Sequence, residues 1–212
     1  MTDLTVVILT KNEEKNLRKC VESFRGVAKR FVIVDSFSTD STEALCKELN
    51  AELQKIGSRL DFYQNKWVSY AEQLNWGLQN TDIDTEWSMR MDADEEIMED
   101  LAAEINEKLP QIKTPVNGVI LRRRVYFMGR WIKHGGRYPE LLLRIFRTGM
   151  ASCEMKNQMI MARSLPVEVT NGTLEGDIAP GDITFYRLQS TSDNKLRAYV
   201  AQGEVLPVAT RS

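Results

Sequence analysis

Histidine is almost absent from this chain: His134 is the only one in 212 residues. Beside Gly135 and Gly136 it suits a phosphate contact, but one histidine without a partner does not make an acid–base site. Cysteine is scarce too. Cys20, Cys46 and Cys153 form an odd, widely spaced set that fits neither a disulfide framework nor a zinc pattern, and it points to a reducing, cytoplasmic setting. No apolar run approaches the ~20 residues a membrane-spanning helix needs, and no basic n-region precedes the first apolar segment, so neither a span nor a secretory leader is expected. An excess of basic charge is also missing. With 28 Lys and Arg against 30 Asp and Glu, the chain has no electrostatic footprint for nucleic acid.

What remains is an ordinary globular composition, 42% hydrophobic and 27% charged, long enough for a full core in one domain. Leu4–Leu9 and Phe31–Val34 are β-branched apolar runs without polar alternation, the pattern of strands covered on both faces of a parallel sheet. Between them Leu17, Cys20, Val21 and Phe24 recur at helical spacing, and a second helix opens at Ser41-Thr42-Glu43. Strand, helix, strand, helix predicts an α/β fold with a mainly parallel sheet flanked by helices. Further along, the spacing predicts a strand and loop over 53–64, helices over 67–78 and 101–109, and strands over 86–91, 116–126 and 141–146. After residue 155 the pattern weakens into a loop-rich stretch, expected to pack on the same domain as a C-terminal segment over 156–212, with one helix over 193–200.

Three polar clusters fall where strands of such a sheet should end: Thr10-Lys11-Asn12-Glu13-Glu14, Asp35 to Asp40, and Asp92-Ala93-Asp94-Glu95. Ligands of open α/β sheets bind beyond the carboxyl ends of the strands. In the last cluster, two carboxylates one residue apart project to the same side of a strand. They suit Mg²⁺ or Mn²⁺, which are typically held by one or two carboxylates together with substrate phosphates. An acidic loop facing only solvent has the same spacing, so the three clusters carry weight as a set.

In this order the clusters resemble the inverting family 2 glycosyltransferases of the nucleotide-diphospho-sugar transferase (GT-A) fold. The matching stretches are Val7–Glu14, Val34–Thr42 and Met91–Glu95. A fourth, Tyr126–Ile132 with Gly135–Arg144, resembles the bacterial subgroup that builds lipopolysaccharide, capsule and exopolysaccharide. The resemblance covers roughly residues 4–150. It implies a nucleotide-diphospho-sugar donor, UDP-linked, and a glycan or lipid-linked acceptor. It also implies that Thr10, Asn12 and Glu13 meet the nucleotide, that Asp35 holds uracil or ribose, and that Lys66, with Gln73 and Asn75, lies near base and diphosphate. By the same resemblance Asp92 contacts sugar or ribose, and Asp94 ligates Mn²⁺ or Mg²⁺ on the diphosphate. Asp40 or Ser41 is expected to cap the second helix, and Glu95 and Glu96 to open the next one. The acceptor side is expected around Trp131 and Tyr138. Peripheral contact with the inner membrane face and a homodimer are both compatible with the resemblance.

The resemblance breaks at the general base. The subgroup carries an acidic pair and a histidine shortly after the Arg-Leu-Phe-Arg strand, and the best register here offers Asn157, Gln158 and Met159 instead. An amide orients a hydroxyl but does not take its proton. Glu154 in a shifted register, or Asp177 or Asp182 from the tail, is then the expected base. The alternative is a transferase-like nucleotide-sugar-binding protein with little or no turnover.

Overall fold

A computed structural model gives the fold of residues 1–113, 116–123, 126–127, 130–131, 140–153, 160–162, 186–190, 196–202 and 204–205. The chain runs β1 (Thr2–Thr10), α1 (Leu17–Ser23), β2 (Ala28–Asp35), α2 (Thr42–Gln54), β3 (Arg59–Gln64), α3 (Tyr70–Asn80), β4 (Trp87–Asp92) and α4 (Glu99–Lys108). Then come β5 (Gly118–Arg123), β6 (Tyr126–Phe127), β7 (Arg130–Trp131), β8 (Glu140–Arg147), β9 (Ala151–Cys153) and β10 (Ile160–Ala162). Strands β11 (Tyr186–Ser190), β12 (Leu196–Gln202) and β13 (Glu204–Val205) close the series.

The main sheet has the order β3-β2-β1-β4-β8-β5. Strands β1 to β4 are mutually parallel; β8 pairs antiparallel with β4, and β5 pairs antiparallel with β8 and so runs in the direction of the parallel set. Alternation along the central strands explains why both faces are apolar. Leu4, Val6 and Ile8 enter one core with α1, α2 and α4, whereas Val7 enters a second core with α3, Val32 and Val34. Helix α3 lies close on its face: a Cβ on Gly77 would stand 2.8 Å from Val34 Cγ2. Ser69 caps α3 by accepting the Glu72 backbone N–H at 3.2 Å, half of a capping box with Glu72.

The expected strands and helices over 4–109 are present, with ends shifted by a few residues. The helix expected over 193–200 is not: Leu196–Gln202 is a strand pairing antiparallel with β11. Leu196, Ala198 and Val200 also alternate with period two, and so short a run does not separate the two periods.

Candidate functional site

Register places the site. Thr10 ends β1 opposite Asp35 of β2, and Leu9 lies opposite Asp92 of β4. Asp35 and Asp92 therefore flank β1 at the carboxyl edge, about two strand spacings or ~10 Å apart.

On the β2 side the loops brace one another. Asp35 has no exposed surface. Its carboxylate accepts Thr10 Oγ1 at 2.8 Å, the Ser38 N–H at 2.7 Å and Ser38 Oγ at 2.5 Å. Asp35 thus ties the end of β1 to the loop that follows β2. Asn12 Oδ1 accepts the Thr39 N–H at 2.8 Å, and Ser38 Oγ accepts the Asn12 N–H at 2.7 Å. Thr42 Oγ1 accepts the Glu13 N–H at 2.9 Å, and the Glu13 carboxylate accepts Asn16 Nδ2. Asp40 takes the expected capping part, accepting the Thr42 N–H at 3.0 Å, while Ser41 makes no side-chain cap. Burial opposes ionisation of Asp40, but donation from the Thr42 hydroxyl, the Thr42 N–H and the Glu14 N–H together holds its carboxyl below its ordinary value.

Gln73 is buried and ties the loop after β2 to the loop after β3, donating to Ser36 Oγ at 3.0 Å and to the Asn65 carbonyl at 3.1 Å. Asn75 exchanges two hydrogen bonds with the Cys153 backbone, so its amide holds β9 and is not free for a ligand. Lys66 is exposed between β3 and α3.

On the β4 side the acidic turn is built on two arginines. Arg90 Nη2 donates to both Asp92 oxygens, at 2.8 and 2.9 Å, and its guanidinium lies 4.4 Å from the centre of the Tyr70 ring. Burial, and then the like charge of Arg144, push the Arg90 pKa down. Arg144, nearly buried, donates to Glu95 at 2.6 Å and stands 3.8 Å from Asp92. Glu95 in turn accepts the Asp92 N–H at 3.1 Å, and the Asp92 carbonyl accepts the Glu95 N–H at 3.0 Å. Two guanidinium charges therefore balance Asp92 and Glu95. Asp94, exposed on the turn, lies outside these pairs. Among the described residues no three Asp, Glu, His or Cys side chains are grouped to cage a metal. One open carboxylate beside a paired one fits a cation that keeps its waters and shares diphosphate oxygens.

A family model described as glycosyl transferase family 2 matches residues 5–165. The chain belongs to that family. A lipopolysaccharide core biosynthesis glycosyltransferase, LpsC of Rhizobium meliloti, is 29% identical over 74% of this chain and 55% of its own length. An uncharacterized glycosyltransferase of Rickettsia bellii is 28% identical over 48% of this chain and 31% of its own. The chain thus spans only about a third to just over half of these relatives. Similar solved structures include Staphylococcus aureus TarS, at 20% identity over 71% of this chain and 48% of that one with a TM-score of 0.46. A Pyrobaculum calidifontis mannosyltransferase solved with GDP-Man and Mn²⁺ is 21% identical over 58% of this chain and 36% of that one, TM-score 0.46. A second model, the L-fucose isomerase C-terminal domain, matches residues 132–212, less than half of the chain.

Within this family 2 domain the structure brings Thr10, Asn12, Glu13, Asp35, Asp92 and Asp94 to one sheet edge. Arg90, Arg144 and Tyr70 were missed by sequence reasoning. Period two places Arg90 on the same side of β4 as Asp92, but only the fold brings Arg144 there. Glu154, Asn157, Gln158, His134, Tyr138, Asp177 and Asp182 lie outside the described residues, as does the side chain of Trp131.

Proposed function

We propose that the chain transfers a sugar, with inversion, from a UDP-linked donor to a glycan or lipid-linked acceptor. The observation that carries this reading is the acidic turn after β4. There two arginines neutralise Asp92 and Glu95 and leave Asp94 open for a Mn²⁺ or Mg²⁺ ion on the donor diphosphate. Such an ion supplies neutralisation of the charge that builds on the departing nucleoside diphosphate. The braced loops after β1 and β2, with Thr10, Asn12, Glu13 and the Asp35-ordered segment, form the nucleoside end of the cleft, and Lys66 stands beyond it. Asp92, held by Arg90, orients toward sugar or ribose. The likeness to LpsC, a lipopolysaccharide core biosynthesis glycosyltransferase, favours a lipid-linked saccharide acceptor. No helix among the described residues is long and apolar enough to cross a membrane.

Calorimetric titration with UDP, with and without Mn²⁺, tests the reading. Binding strengthened by Mn²⁺ in the wild type and made independent of it in Asp94→Ala is expected. Equal Mn²⁺ dependence in both proteins defeats the assignment of Asp94.

A second reading, a nucleotide-sugar binder with little turnover, is favoured by the amides at Asn157 and Gln158. General-base catalysis is worth about 10²–10⁴-fold, so Asn157→Asp or Gln158→Glu then raises turnover while UDP affinity stays constant. With Glu154 as base, Glu154→Gln abolishes transfer instead.

A further inference from the structure

Among the described residues three non-glycine positions have positive φ: Asn12 at 58°, Asp82 at 44° and Phe37 at 57°. Asn and Asp tolerate the left-handed region because their short polar side chains bond locally. Phenylalanine has no such compensation, and there a bulky residue is strained. Burial does not compensate either, since Phe37 is 52% exposed. The ring therefore contributes little to the folded chain that would offset its backbone, and glycine would serve the turn better.

The strain is fixed by its surroundings. Lys11 Nζ donates to the carbonyls of Ser36 at 2.9 Å and Phe37 at 2.6 Å. Asp35 grips Ser38 on one side, and on the other Gln73 holds Ser36, whose N–H donates to the Thr10 carbonyl at 2.9 Å. The ring stands on a rigid pedestal at the carboxyl end of β2.

Its position selects the ligand part. Asp94 follows β4, and β1 separates β4 from β2, so Phe37 lies about two strand spacings, ~10 Å, along the sheet edge from the acidic turn. A diphosphate anchored at Asp94 has its ribose and base extending across the end of β1 to β2. We infer that Phe37 is a preformed aromatic platform on which the nucleobase of the donor stacks. The inference rests on the proposed nucleotide-sugar function and adds to it a residue that sets nucleotide affinity. Every base has a π-face, so the ring contributes affinity rather than choice among bases.

Calorimetry with UDP and with inorganic pyrophosphate, both with Mn²⁺, on wild type, Phe37→Gly, Phe37→Asn and Phe37→Trp tests it, alongside thermal unfolding without ligand. Phe37→Gly and Phe37→Asn are expected to bind UDP roughly tenfold more weakly, the range of one base–aromatic stack. Their pyrophosphate affinity stays at the wild-type value, their ligand-free Tm does not fall because strain is relieved, and Phe37→Trp retains UDP binding. Unchanged UDP affinity in Phe37→Gly overturns the inference, as does an equal loss for pyrophosphate or a Tm lowered by several degrees, which would make the ring structural. A wild type that binds pyrophosphate or UDP not at all overturns the proposed function as well, whereas the preceding outcomes leave it standing.

Discussion

At the scale of single residues, Asp35 is the buried acid on which the loops after β1 and β2 converge. With three donors on a buried carboxylate, Asp35→Asn turns one acceptor into a donor facing another donor. Leaving buried hydrogen-bonding groups unsatisfied costs about 1–3 kcal/mol, so urea unfolding should show a loss of about 2 kcal/mol with an unchanged m-value. The sequence places an acid at this strand end. The bonds it takes from the loops depend on Thr10 and Ser38 meeting it, and Thr10 is 25 positions away.

Ionisation at the opposite edge of the sheet belongs to the same scale. The Arg59 hydrogen bond holds the Asp84 carboxyl below its ordinary value, and the Lys29 hydrogen bond does the same for Asp3. Both pKa values are depressed in the folded state, so the unfolded chain binds more protons as acid is added. Their stabilisation is complete above the ordinary carboxylate range and is lost as pH falls through the folded values. Tm measured from pH 7 to pH 3 should fall less steeply in Asp84→Asn than in the wild type.

At the scale of elements, α3 and β8 do work that their own sequences do not announce. Glycine inside a helix costs about 1 kcal/mol against alanine, so Gly77→Ala would ordinarily stabilise. Here the added Cβ meets Val34 Cγ2 on β2, and the sign reverses: Gly77→Ala should lower Tm. Adding Val34→Ala should lose less than the two single changes together, because the pair shares one contact. Strand β8 was legible as a strand from Leu141 to Phe146, yet its place was not. By pairing antiparallel with β4 through Met89 and Ile145, it sets Arg144 beside the acidic turn. Arg144→Met removes the guanidinium from beside Glu95 and Asp92, and breaking a buried pair from one side costs about 3 kcal/mol by urea unfolding. The Mn²⁺-dependent gain in UDP affinity should shrink in the same variant.

At the scale of the whole molecule, two cores on the two faces of one sheet enclose all three cysteines. Burial pushes the Cys46 thiol up to about 12 and the Cys20 thiol further still, with the nearby carboxylates adding to both. Raised thiol values mean that stability from this source is full below the ordinary thiol pKa near 8.5 and is lost as pH rises above it. A thiol-reactive chromophore at pH 8 should leave Cys20 and Cys46 unlabelled until guanidinium unfolds the sheet. Labelling as fast as that of a free thiol in the native protein would show the cores to be open.

The sequence by itself determined the parallel half of the sheet, its helices and the edge at which polar residues gather, because unbroken β-branched runs and helical spacing are local signals that burial on two faces imposes. It also determined the family, through motifs in a fixed order. Only the tertiary structure decided which charges face one another. Arg90 and Arg144 lie 54 residues apart and converge on one turn because an antiparallel strand inserts beside β4. The strain on Phe37 arises because Lys11, from another loop, fixes its carbonyl. Such long-range pairings follow from strand order, which no local spacing encodes.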